Sequence, residues 1–443
     1  MSTQPNSRQL ISCEECGLVV RIPDIEQGQK AQCPRCKHPL TKVNIKPYQS
    51  VIAISVTCLI MLVLSISFPF MSFSVQGLSQ EITLIHAAKM LAEFHNALLG
   101  ALLLATVVVL PAIYVGLLLF LHLQALKSLK YPLGRKSTHM AKTLCRLLFQ
   151  VQPWLMVDVF LIGVLVSLIK IASLAEIGMG SSFWAFCVYT VLVVKCISMV
   201  DKSWLWGHFT PVLELPDVKE GDTHHNENHI GCHTCHQLNP IEKQKHQKCL
   251  RCGSSVHRYN PKDNLQKAWA LLFTAIIFYI PANLYPMMYT VSLGHTEGST
   301  IMEGVVLLWQ LGSYPIAAVI FFASVFIPMA KMLALVWLYY NAQKAQYLPQ
   351  EESISRLKVY RITEFIGRWS MIDIFVVAIL VALVQLQNLM AIYPGPAALS
   401  FAAVVILTML SATIFDSRLL WQSPQSGVQE PMNNNLTEKA KYE

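Results

Sequence analysis

The heptapeptide Trp154-Leu155-Met156-Val157-Asp158-Val159-Phe160 returns 215 residues later as Trp369-Ser370-Met371-Ile372-Asp373-Ile374-Phe375. Trp, Met, Asp and Phe recur at the same four places, and the Asp heads an apolar run, where a charge is expensive and needs a reason. The match extends both ways. Phe68-Pro69 pairs with Tyr285-Pro286, Thr83 with Thr300 and Pro111 with Pro328, each at a shift of 217. Asp201-x-x-x-Leu205-Trp206 pairs with Asp416-x-x-x-Leu420-Trp421 at 215. The chain is an internal duplication, and that decides how every other segment is read.

Each copy contains apolar runs near the roughly 20 residues needed to cross a bilayer. Eight lie near 50–73, 97–124, 153–175, 182–200, 266–289, 305–339, 371–393 and 397–415. The sixth is long and holds Pro315 and Pro328, which predicts an interfacial start or a kink. Tyr393-Pro394-Gly395-Pro396 reads as a tight turn between the last two. Four spans per copy is an even number, so both copies enter the membrane the same way: a parallel repeat, known among transporters and also produced by duplication alone. Composition agrees. Only 14% of the 443 residues are charged and 54% are apolar, with mean hydropathy +0.45, whereas soluble domains average about 25% charged.

The loops set the orientation. Residues 126–150 carry Lys127, Lys130, Arg135, Lys136, Lys142 and Arg146 with no acid, and 341–368 carry Lys344, Arg356, Lys358, Arg361 and Arg368. The 76–96 loop has only Lys89, and 290–304 has no basic residue. Basic loops stay in the cytoplasm, so both termini and the segment 207–262 belong there. The net charge of +8 is accounted for by these loops and gives no reason to invoke nucleic acid. Residues 1–46 are polar and hold four cysteines, unlike a signal peptide.

Those cysteines form Cys13-x-x-Cys16 and Cys33-x-x-Cys36, sixteen residues apart; Cys232-x-x-Cys235 and Cys249-x-x-Cys252 follow thirteen apart. Two such pairs supply four thiolates, the donor set of a tetrahedral zinc ribbon. A segment of about 40 residues buries too little to fold alone, so the metal holds it together. Two rivals share the spacing. Cys232-His233-Thr234-Cys235-His236 fits a haem-attachment pattern, but Cys13-Glu14-Glu15-Cys16-Gly17 lacks the histidine and the side of the membrane is wrong. Four-thiolate iron uses similar knuckles. Cys58, Cys145, Cys187 and Cys196 lie in or beside spans and read as small apolar residues. His224, His225, His229, His233, His236 and His246 read as a solvated linker, with metal recruitment as the alternative.

Within the spans, Asp158 and Asp373 lie near the cytoplasmic side, Lys331 follows Pro328, Lys170 lies towards the outer end of the third run, and Thr408 lies in the eighth. The sequence predicts a polar cluster of Lys331, Asp373 and Thr408, with Asp158 and Lys170 a looser first-half set; a purely structural ion pair is the alternative. The phosphate loop, the zinc-protease helix motif and the serine elbow are absent, so no enzyme chemistry is expected.

The expected architecture is an all-α polytopic membrane protein of two tandem four-helix units, each preceded by a small cytoplasmic zinc ribbon. The divisions are 1–46 (first ribbon), 47–206 (first unit), 207–262 (linker and second ribbon), 263–421 (second unit) and 422–443 (disordered cytoplasmic tail).

The combination resembles the paraquat-inducible protein A family, which includes the LetA-type inner-membrane proteins. The resemblance rests on both cysteine sets, Gly28-Gln29-Lys30, Pro281-Ala282-Asn283, Gly367 to Asp373 and Asp416 to Trp421, and covers nearly all of residues 8–421. It implies tetraspanin-like four-span units in the inner membrane of Gram-negative bacteria, working with a periplasm-spanning MCE-domain protein to move phospholipid between membranes and maintain the envelope. Ser173 stands where the LetA branch has an acid, which separates this first-half polar site from that branch. Two other functions fit the residues: a redox protein using its CxxC pairs, and a structural anchor. Two zinc ions per chain, no nucleic acid and no catalytic residue complete the expectation.

Overall fold

The computed structural model describes residues 9–23, 28–42, 47–75, 78–93, 97–128, 134–172, 176–241, 247–292, 295–310, 312, 314–344, 350–383, 385–386 and 390–421. The expected tail at 422–443 lies outside them, as do 43–46 at the end of the first cysteine module and 242–246 between the two knuckles of the second.

Four short strands, β1 (Leu10–Ser12), β2 (Val19–Arg21), β3 (Lys30–Gln32) and β4 (Pro39–Lys42), form two hairpins around the first cysteine set. Helix α1 (Pro47–Ser67) leads to a hairpin of β5 (Met71–Val75) and β6 (Leu78–Ile82). Then come α2 (Leu84–Glu93), α3 (Ala97–Leu104), α4 (Leu110–Ser128), α5 (Arg135–Val151), α6 (Val157–Ala172), β7 (Glu176–Met179), α7 (Ser181–Met199) and α8 (Lys202–Phe209). The second cysteine set carries β8 (Ile230–Gly231), β9 (Leu238–Asn239), β10 (Gln247–Lys248) and β11 (Ser255–Val256). The order then repeats: α9 (Pro261–Leu284), β12 (Met288–Ser292), β13 (His295–Ser299), α10 (Ile301–Gln310), α11 (Tyr314–Phe321), α12 (Ile327–Lys344), α13 (Gln350–Trp369), α14 (Ile372–Leu383), β14 (Gln385–Leu386), β15 (Met390–Pro394) and α15 (Pro396–Ile414).

Among the described residues, seven helical stretches are long and apolar enough to cross a membrane: Gln49–Ser67, Gly100–Ser128, Lys136–Ile169, Ser181–Met199, Pro261–Leu284, Phe322–Lys344 and Pro396–Ile414. Their outer faces carry apolar stripes at helical spacing, such as Val56, Ile60 and Val63 on α1 and Leu333, Trp337 and Tyr340 on α12. Exposed apolar rows of this kind suit a hydrocarbon surround.

The seventh expected span, 371–393, is the exception. Helix α14 has 12 residues, about 18 Å at 1.5 Å per residue and well short of the roughly 30 Å core. It is buried without a break from Asp373 to Val381 and runs between elements of the first half. Beyond it the chain becomes strand, so Tyr393-Pro394 ends β15 and is not part of a turn between two helices.

The all-α expectation is corrected at the same place. Each half has an antiparallel sheet at the end remote from the cysteines, ordered β6-β5-β7 in the first and β13-β12-β15-β14 in the second. The strand β12 pairs Thr290 with Ile392 and Val291 with Ala391. Glycine closes each sheet onto the following helix. Gly180 donates its N–H to Phe70 O at 3.1 Å, and Gly395 donates to Met287 O at 2.9 Å. A Cβ at either would lie 2.0 Å from the Pro69 or Pro286 carbonyl oxygen.

In the sixth run, where the prolines predict an interfacial start or a kink, the helix widens ahead of Pro328, and the first half does the same ahead of Pro111. A π-helical turn at Ala105–Val109 precedes Pro111, and another at Phe322–Phe326 precedes Pro328. Proline has no N–H and its ring crowds the carbonyl four residues back, and the widened turn relieves both. The two basic segments expected as loops are helical: α5 buries Ala141, Cys145 and Leu148, and α13 buries Ser353, Leu357 and Tyr360. Both sets are spaced i, i+4, i+7, one helix face.

The halves meet through their duplicated heptapeptides. Phe160 and Phe375, repeat partners, stand edge to face with ring centroids 5.4 Å apart. Gly163 lets α6 come close enough that its Cβ would be 3.1 Å from the Phe375 Cβ. Ser167 Oγ donates across the seam to Val376 O at 3.5 Å. The two halves therefore meet within the core, where Phe160 and Phe375 are both buried.

Candidate metal centres and the cavity between the halves

All four knuckles fold alike. Gly17, Lys37, His236 and Gly253 donate their N–H groups to the carbonyls of Cys13, Cys33, Cys232 and Cys249 at 2.8–2.9 Å. Each of these residues has positive φ, between 56° and 73°, the left-handed turn that aims two thiols at one point. Gly17 has a second constraint, since a Cβ there would lie 2.3 Å from His224 Nδ1.

The eight thiols are buried and free of disulfides. Within each set the Sγ atoms lie within 4.8 Å of one another. Cys13–Cys36 and Cys16–Cys33 stand at 3.4 and 3.5 Å, and Cys232–Cys252 and Cys235–Cys249 at 3.6 Å. Sulfurs around a tetrahedral ion with 2.3 Å bonds lie about 3.8 Å apart, so both sets fit an ion held by four thiolates and could bind one each.

Each set docks on the half of the chain that it does not precede. Arg361 of α13 grips the Glu15 carboxylate through Nε at 3.1 and 3.2 Å and through Nη2, and Nη2 also donates to Cys36 O at 2.9 Å. Its repeat partner Arg146 on α5 donates to Cys252 O at 2.6 Å. The guanidinium of Arg35 lies 4.6 Å over the Trp421 ring. Arg251, in the matching knuckle, is buried and donates to Thr210 O at 3.0 Å and Cys235 O at 3.1 Å. Burial opposes ionisation of Glu15, yet hydrogen bonds from His38 and Arg361 hold its carboxyl below the ordinary range. The Glu15 contact in turn raises His38 despite burial; Nδ1 and Oε1 are 3.1 Å apart.

The histidine linker is not uniformly solvated. Val19 N–H donates to Asp222 O at 2.7 Å, and Gly221 N–H to Val19 O at 3.0 Å, which draws the linker over the first module. His224 is buried there, 3.9 Å from the His225 ring and 4.7 Å from Tyr259. Neither of its ring nitrogens has a hydrogen-bond partner, and burial is the first cause holding it neutral, its pKa pulled down to about 2. His246 lies outside the described residues.

In the spans the structure brings Lys331 and Thr408 together, Nζ donating to Oγ1 at 2.9 Å. Two turns along α12 from Lys331 and one along α15 from Thr408, Tyr339 and Ser411 share a hydrogen bond at 2.9 Å, and Ser411 donates to Ala268 O at 2.8 Å. The sequence reading missed these two; their helical spacing from Lys331 and Thr408 carries the signal. Asp373 is buried at the head of α14. Lys170 lies in α6, with its side chain outside the described residues. Asp158 and Lys331, from opposite halves, line one cavity of ≈790 Å³ at the seam. Phe149, Leu155, Val193, Ile197 and Met409 give this cavity apolar walls, and Lys202, Arg361, Glu364 and Arg368 add charge at the cysteine-module end. A polar cavity of ≈970 Å³ lies beside it, between the modules and the second half.

These features define a duplicated polytopic membrane protein whose halves enclose a partly apolar cavity and are clasped by two four-thiolate modules. The sequence pattern of paraquat-inducible protein A matches residues 48–210 and 265–425, and the chain belongs to that family. It is 40% identical over 422 residues to the intermembrane transport protein PqiA of Escherichia coli (strain K12), covering 95% of this chain and 97% of that protein. The lipophilic envelope-spanning tunnel protein A of the same strain is 26% identical, covering 94% and 92%. A probable intermembrane transport protein of Haemophilus influenzae is 27% identical, covering 94% and 96%. No solved structure matches significantly.

Proposed function

We propose that this chain is the inner-membrane subunit of an intermembrane phospholipid transport system, passing lipid to or from a periplasm-spanning MCE-domain partner and supporting envelope integrity. The observation that carries this reading is the ≈790 Å³ seam cavity, in a chain similar along 95% of its length to a protein named for intermembrane transport. Apolar walls accept acyl chain and charged ends accept head group, a division suited to an amphiphile. No covalent chemistry is needed.

On this reading residues 47–206 and 263–421 are two tetraspanin-like four-helix units in a parallel repeat, α14 being the short third member of the second. Residues 1–46 and 207–262 carry zinc ribbons, with Cys13, Cys16, Cys33 and Cys36 holding one ion and Cys232, Cys235, Cys249 and Cys252 the other. The ion supplies cross-linking that so small a module cannot draw from its core. Both ribbons and both termini lie in the cytoplasm, and the two sheets face the periplasm and the partner. Asp158, Lys170, Lys331, Asp373 and Thr408 form the intramembrane polar set, which the Lys331–Thr408 bond supports.

The test is purification from native membranes with metal, lipid and bound protein measured together. Two zinc ions per chain, retained phospholipid and a co-purifying periplasmic protein are expected. Iron or haem absorbance, or retention of neither lipid nor partner, overturns the reading.

A further inference from the structure

The seam cavity holds a buried charge without a counter-charge. Lys331 is only 4% exposed, its ammonium has three N–H donors, and Thr408 takes one of them at 2.9 Å. None of the ion pairs among the described residues reaches it. Gly367 lets the ammonium come close against α13, since a Cβ there would lie 3.1 Å from Nζ. A desolvated ammonium bound to one neutral hydroxyl is costly unless an anion completes it.

The other charges of the cavity come from both halves. Lys202 rises from the first, its ammonium 5.7 Å over the Phe149 ring, and Arg368 comes from the second. Arg361 also lines the cavity, but its guanidinium is committed to Glu15 and Cys36 O. Two carboxylates, Asp158 and Glu364, share the lining. Three cations outside the Arg361–Glu15 pair and two carboxylates at one end of an apolar-walled space match a head group that itself carries both signs.

We propose that the cavity binds the head group of a phospholipid from the leaflet at the module end. Its phosphate is held by Lys331, Lys202 and Arg368, and a primary ammonium by Asp158 and Glu364. The proposal deepens the transport reading, on which it rests, by naming the head group and the end of the molecule where it is recognised. A net-anionic head group would leave both carboxylates facing negative charge, and a quaternary ammonium would offer them no N–H donor. Diacylglycerol offers nothing to the cations.

The full chain, stripped of lipid in detergent, is titrated with phosphatidylethanolamine, phosphatidylglycerol, phosphatidylcholine, diacylglycerol and inorganic phosphate, with binding read by native mass spectrometry. Phosphatidylethanolamine is expected to bind several-fold tighter than the other lipids. The Lys202→Gln, Arg368→Gln double variant is expected to lose about tenfold or more, the scale of one or two charge-assisted hydrogen bonds. Lys202→Arg and Arg368→Lys, which keep the charge, are expected to retain most of the binding, so a folding defect in the neutral variant is told apart. Equal binding of all four lipids, unchanged affinity in the double variant, or inorganic phosphate saturating the site as tightly as lipid overturns the proposal. Selective binding without transfer of labelled lipid to a partner defeats the transport reading and leaves the site standing. Transfer with unselective binding does the reverse.

Discussion

Arg146 and Arg361 are the side chains through which the duplication acts on the cysteine sets. They are repeat partners, and each bonds the carbonyl of the last cysteine in the opposite half's set. Hydrogen bonds from charged groups contribute about 1.5–3 kcal/mol when buried, and Arg361 is part-exposed, so the lower end applies. Arg361→Ala is therefore expected to speed amide exchange in β1–β4 while leaving β8–β11 protected, and Arg146→Ala to do the opposite. Gly180 and Gly395 are a second repeat pair with no room for a side chain. Alanine at either collides with a backbone carbonyl that cannot move freely, so a loss of at least ~1–3 kcal/mol is expected, seen as lower thermal stability in detergent. Lys331→Met keeps the stem and removes the ammonium; a fall in lipid transfer is expected, and wild-type transfer removes Lys331 from the functional set. The cysteine sets were readable because a metal centre demands fixed spacing. The partners of Arg146 and Arg361 were not, because a backbone carbonyl leaves no mark in the sequence.

The cysteine modules and the helices under them form a crossed clasp. The first set packs with Leu265, Leu419 and Trp421 of the second half, and the second with Phe149, Trp206 and Phe209 of the first. Disrupting one cysteine set should therefore loosen the half it does not precede. Cys33→Ser is expected to raise exchange in α13 and Cys249→Ser in α5, and the reversed pattern contradicts the crossed arrangement. The helices of the spans followed from apolar length, and Pro328 marked an irregularity in the sixth, which is the π turn at Phe322–Phe326 with its repeat at Ala105–Val109. The strands did not announce themselves. Met71–Val75 and Met390–Pro394 continue or follow apolar runs, and a short apolar run does not say whether it is the end of a helix or a buried strand. Helices α5 and α13 were hidden differently: their basic residues gave sidedness, while the apolar face at i, i+4, i+7 lay beneath that signal.

Taken as a whole, the molecule is two copies of one plan that share a core, with Phe160 against Phe375 and α14 buried between elements of the first half. The duplication was readable from four residues of a heptapeptide. That the copies interlock was not, because a repeat gives correspondence and not contact. The interlocking matters for function, since it makes the ≈790 Å³ cavity a joint product of both halves and places Asp158 of one with Lys331 of the other. The most direct test of a lipid site there is photo-crosslinking in native membranes. A benzophenone side chain replaces Met409, which lines the cavity, or Leu333, which is 61% exposed on the outer face of α12. Phospholipid crosslinked at 409, and displaced there by substitution of Lys202 and Arg368 while the signal at 333 persists, is the result this account predicts. Phospholipid crosslinked at 333 and absent at 409 contradicts it.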